Sequence, residues 1–103
     1  MARRAVANPG QTYLVENYHP GLGEGELKVM VARIRDAVAE MTRDGLSIRQ
    51  VRTTIVPADE SFLCLINATS EQLIRDAYAR AGISFERISP ALSEEDQTPE
   101  GES

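Results

Sequence analysis

The chain has little of what disulfide scaffolds, metal clusters and hydrolytic sites are made from. Cysteine and histidine occur once each in 103 residues. One cysteine excludes an internal disulfide and a multi-cysteine metal cluster within a single chain. One histidine makes a paired acid–base site sparse, and no Ser/His/Asp arrangement is assembled around it. No apolar run approaches the roughly 20 residues that cross a bilayer. The opening MARRAVANPG carries a basic pair but no apolar segment suited to a signal peptide. A cytoplasmic protein without a membrane partner is the expectation. Clustered positive charge is missing as well. The net charge is −5, and residues 93–103 hold five acids and no base. Between the two ends the balance is 11 acids to 9 bases, which gives no basic face for nucleic acid.

What is present is one domain's worth of chain, 42% apolar, enough for a modest core. The stretch Val51 to Ala68 organises it. Val51 to Val56 is rich in β-branched residues, Phe62 to Ile66 is aromatic and aliphatic throughout, and Pro57 to Ser61 has turn chemistry between them. The second of these strands is apolar on both alternating sets, so it must be covered on both faces.

Around this hairpin the remaining elements fall in order. Thr12 to Tyr18 reads as a strand, stopped by His19-Pro20-Gly21. Glu26 to Arg43 reads as a helix with Leu27, Met30, Val31, Ile34, Val38 and Met41 on one stripe, ended by Gly45. A second helix starts at Thr69 or Ser70, where Thr69 and Gln72 fit a capping box, and ends at Gly82. Its inner face is Leu73, Ile74, Ala77, Tyr78 and Ala81. Phe85 to Ser89 reads as the last strand. Residues 1–10 read as a flexible arm, 11–92 as the domain and 93–103 as an acidic disordered tail. Residues 11–92 alone are expected to keep the thermal midpoint of the full chain.

The order β-α-β-β-α-β predicts an α+β, ferredoxin-like domain. It has a four-stranded antiparallel sheet in the order 4-1-3-2, with both helices on one face. Alternation then assigns faces. Val15, Val51, Thr53, Ile55, Leu63, Leu65 and Ile88 go under the helices. The open face receives Leu14, Glu16 and Tyr18, then Arg52, Thr54 and Val56, then Phe62, Cys64 and Ile66, then Phe85, Arg87 and Ser89. Such a face is too apolar to stay wet, and a second copy laid on it would form a two-fold dimeric α/β barrel. Phe62→Asp is expected to break that homodimer.

YLVENYHPGL, IVPADESFLCLINA and YARAGISFERI together resemble a bacterial family of small ferredoxin-like proteins of largely unassigned function, over about residues 13 to 92. Some relatives are described as nickel-binding. Typical members look like Val-Glu-Arg-Tyr before Pro-Gly-Leu; Glu16, Tyr18, Pro20, Gly21 and Leu22 match, and Asn17 replaces the arginine. Members also show Cys-Phe-Cys followed by Leu-Phe-Glu-Ala. Cys64, Leu65 and Ala68 match, while Phe62 replaces the first cysteine and Asn67 the glutamate. The resemblance implies the fold and the dimer, and nickel as a possible metal. It implies no reaction.

Three function classes are open. The first is a binding module holding a small organic ligand or a metal ion over the open face. The second is a cofactor-free isomerase or monooxygenase using Glu16, Tyr18 or His19 for proton transfer. The third is a non-catalytic interaction protein. Binding is favoured over catalysis, and the expected ligand-binding residues are Glu16, Tyr18, Arg52, Thr54, Cys64 and Arg87. For a metal, Cys64 and His19 are the soft or borderline donors and Glu16 the oxygen donor, a set suited to nickel or zinc. Glu16 has a competing structural reading, an ion pair with Arg52 or Arg87.

Overall fold

The structure, a computed structural model, describes residues 10–92. The expectations for the tails lie, apart from Gly10, outside the described residues. The elements are β1 (Gln11–Tyr18), α1 (Glu24–Arg43), β2 (Ile48–Val56), β3 (Ser61–Ala68), α2 (Glu71–Ala81) and β4 (Arg87–Pro90), with a 3-10 turn at Pro57–Asp59. The sheet has the order β2-β3-β1-β4 and every neighbouring pair is antiparallel. This is the ferredoxin-like βαββαβ arrangement.

Local chemistry accounts for the element boundaries. Helix α1 begins two residues earlier than its apolar stripe suggests, because the Glu26 carboxylate reaches back to accept from the Gly23 N–H at 2.9 Å. Glu24 and Glu26 sit in the first turn and Arg43 in the last, as the helix dipole favours. Gly45, at φ +90°, lets the chain leave in a conformation other residues avoid. For α2 the capping box does not form. Ser70 is the N-cap without a side-chain bond, and Gln72 instead donates to Asp76 within the helix. Gly82, at φ +71°, closes it.

The core lies between the two helices and one face of the sheet. Leu27, Ile34, Ala37, Val38 and Met41 of α1 and Ile74, Ala77, Tyr78 and Ala81 of α2 are buried in it. From the sheet it takes Val15, Ile48, Phe62, Cys64, Ile66 and Ala68. The β3 assignment is thereby corrected. Phe62, Cys64 and Ile66 face the helices, and Leu63 and Leu65 face away. A strand apolar on both sets carries no parity signal of its own. Its partners decide it: Val15 pairs with Cys64 and Asn17 with Phe62, all buried.

Two further assignments change. Val51 is not a core position. It has no partner in the β2–β3 register, which shifts between Gln50 and Arg52, and it is 41% exposed. This bulge reverses the alternation along β2, so that Ile48 pairs inward before it and Thr53 and Ile55 after it. Phe85 is not on the open face either. It precedes β4 and packs edge-to-face on Tyr78, centroids 5.2 Å apart, with the Arg75 guanidinium 5.4 Å from its ring centre. Phe62→Asp therefore tests the core and not the open face.

Candidate functional site

Pairing across the four strands lays the helix-free face out in rows. One row runs Arg52, Leu65, Leu14, Ser89, and the next runs Thr54, Leu63, Glu16, Arg87. Tyr18 follows opposite Ser61, with Val56 beyond it. Leu14, Leu63, Leu65 and Val56 are half-buried, while Arg52 and Thr54 are exposed. Tyr18 is 51% exposed. The face is therefore an apolar centre of three leucines with polar groups at both edges.

Five of the six expected ligand residues, Glu16, Tyr18, Arg52, Thr54 and Arg87, share this face. Glu16 accepts from Arg87 directly opposite, with guanidinium nitrogens 2.7 Å from its carboxylate. The structural reading of Glu16 is thus realised with Arg87 and not with Arg52. The pair is largely solvated on the arginine side, and such pairs contribute about 0–1 kcal/mol. It orients both side chains more than it stabilises the sheet.

Cys64, the sixth, is on the opposite side of the sheet, fully buried. It ends a chain of polar groups that runs in from the partly buried edge of β2. Gln50 Nε2 donates to Thr53 Oγ1 at 2.8 Å, and Thr53 Oγ1 points to Cys64 Sγ at 3.6 Å. Burial pushes the thiol pKa up, only partly opposed by Tyr78, Thr53 and Gln50 beside it. Tyr78 is raised in turn, by burial first and by the neighbouring Cys64 second. Asn17 is 1% exposed, and its Nδ2 donates to the Val15 and Phe62 carbonyls, both at 3.1 Å. Its Oδ1 and the Tyr78 hydroxyl have no full hydrogen bond among the described residues. Sequence reading missed this polar seam. A polar residue at the Asn17 position, between Glu16 and Tyr18, looks solvent-facing until its alternation with Val15 is fixed.

His19 belongs with the core side. Its backbone N–H donates to the Glu60 carbonyl at 2.8 Å and its ring stacks on Phe62, centroids 5.6 Å apart and planes 16° from parallel. Its Nε2 is buried without a partner among the described residues. The three expected metal donors do not converge. Glu16 projects from the open face and is held by Arg87, Cys64 lies under the helices as a thiol, and His19 covers Phe62. Among the described residues no group of three or more His, Cys, Asp or Glu side chains is placed to hold a metal ion. These residues do not fit nickel as a set.

Two of the surface hollows have charged linings. One lies between the helices, lined by Arg33, Asp36, Glu40, Arg43 and Arg80 among others. The other lies between α1 and the bulge of β2, lined by Val31, Arg35, Gln50, Val51, Arg52 and Thr53. Sequence reading puts Val51 under the helices and gives Arg35 no site role, since only the bulge brings them to one place. No helix among the described residues is long and apolar enough to cross a membrane.

No family model and no curated protein sequence matches the chain. Among solved structures it resembles SCO4226 from Streptomyces coelicolor A3(2). The TM-score is 0.62 at 18% identity, over 81% of this chain and 99% of the other. At that identity the likeness establishes a shared fold, that of a small bacterial protein.

Proposed function

We propose that the protein is a small homodimeric binding module that holds a small organic ligand over the helix-free face of its sheet. The observation that supports this is the layout of that face. Leu14, Leu63 and Leu65 form a contiguous apolar centre, and Arg52, Thr54, Tyr18 and the Glu16–Arg87 pair surround it. Sites for small molecules combine an apolar body with a few polar groups that fix orientation. A second copy related by a two-fold axis would double both and exclude water between them.

An organic ligand suits the face better than nickel, because the donors on it are oxygens and guanidinium nitrogens and its one carboxylate is already paired. Catalysis has less support than binding for the same reason. Glu16 is engaged with Arg87, and His19 is on the other side of the sheet. The test is sedimentation of wild type and of Leu63→Asp at micromolar concentration. The wild type is expected to sediment as a dimer and the variant as a folded monomer, since Leu63 is outside the core. A wild-type monomer across that range would sink the reading.

A further inference from the structure

The geometry points to a second site, for a small oxyanion, in the crevice between α1 and the β2 bulge. Its lining combines two guanidinium groups, Arg35 and Arg52, with the polar Gln50 and Thr53 and the apolar Val31 and Val51, and contains no acid. In a chain of net charge −5 such a lining stands out. The hollow between the helices makes the contrast. There Arg80 is committed to Glu40 at 3.0 Å and Asp44 at 3.5 Å, Arg33 donates to the Ala81 carbonyl, and Asp36 lines the same surface. That hollow sets two acids against its three arginines and so is partly neutralised from within, although Arg43 there has no ion-pair partner among the described residues. In the crevice neither Arg35 nor Arg52 has an ion-pair partner among the described residues.

The bulge is what makes the crevice. It leaves Val51 without a ladder partner and turns the edge of β2 beside Arg35. Bulges of this kind re-aim side chains at edges and near sites. A carboxylate or phosphate offers paired oxygens to guanidinium forks, and Arg binds such groups through charge-assisted, often bidentate hydrogen bonds. Val31 and Val51 would receive a short apolar group attached to that headgroup. Arg52 borders both this crevice and the helix-free face, whereas Arg35 is on α1 and has no place on that face, so substitution of Arg35 separates the two sites.

The full-length protein would be titrated with inorganic phosphate, with isobutyrate and with neutral isobutyramide, following backbone amide and arginine Nε–H resonances by NMR. Phosphate, isobutyrate or both are expected to move Val31, Val51 and Arg52 saturably, and isobutyramide is not. Whichever anion binds fixes the headgroup class. Arg35→Gln is expected to weaken that binding roughly tenfold or more, as loss of a charged hydrogen bond does, with the other resonances unmoved. Arg52→Gln should do the same. Equal shifts with isobutyramide would overturn the proposal. So would an affinity unchanged in both variants, or shifts confined to Arg33, Arg43 and Arg80.

Discussion

Cys64, Tyr78 and Asn17 place ionisable and polar groups where water does not reach, and the protons of Cys64 and Tyr78 are tied to folding. In the folded protein Cys64 holds its proton above the ordinary thiol value of 9.0, and Tyr78 above the ordinary phenol value of 10.0. The unfolded chain releases those protons near the ordinary values. Above about pH 9 the unfolded state therefore binds fewer protons than the folded one, and stability falls as pH rises. It is fully present below that point, declines once the thiol can ionise in the unfolded chain, and declines faster once the phenol can. Thermal midpoints measured from pH 7 to 11 should follow this course. Tyr78→Phe should flatten the second part and shift stability at pH 7 by less than about 1 kcal/mol, because the hydroxyl it removes has no full hydrogen bond. An unchanged slope above pH 10 in that variant would show that Tyr78 is not the group involved.

At the scale of the element, β3 and its turn carry the lesson. Phe62→Ala should cost about 3–5 kcal/mol, as large-to-small changes at a fully buried aromatic do. Leu63→Ala, one residue along but half-buried on the other face, should cost less than half of that in denaturant unfolding. Equal costs would contradict the face assignment. The turn before β3 gives a second handle. Glu60 follows Pro57–Asp59 at φ 52°, in the left-handed region that costs a non-glycine residue of order 1 kcal/mol. Glu60→Gly is expected to raise the thermal midpoint, by up to about 1 kcal/mol of stability, and a lowered midpoint would refute it. The apolar periods of α1 and α2, the turn residues and the strand order could all be read in the sequence, because each has its own local chemistry. The faces of β1 could be read as well, although the amide of Asn17 gives no sign of its core position. The faces of β3 could not, since Phe62/Cys64/Ile66 and Leu63/Leu65 are equally apolar. Neither could the bulge at Val51, which no residue type announces. Those two positions displaced Cys64 from the expected site and created the crevice beside Arg35.

For the whole molecule, the helices cover one side of the sheet and leave the other to a partner or to water. If a second copy covers it, folding and association are one equilibrium. The thermal midpoint should then rise with protein concentration for wild type and not for Leu63→Asp. A concentration-independent wild-type midpoint would place the dimer outside the folded state's stability. The bulge of β2 also has a consequence for how copies of this chain meet. Strands β2 and β4 are the two outer strands, each with a row of backbone donors and acceptors facing outward. An unbroken outer strand is a template for endless ladder growth into fibrils. Here β4 is four residues long and ends at Pro90, which has no N–H to give. Strand β2 is nine residues long, but Val51 interrupts its hydrogen-bonding rhythm, with Arg49 and Arg52 on either side. Both borders of the sheet are thereby blunted against ladder-by-ladder polymerisation.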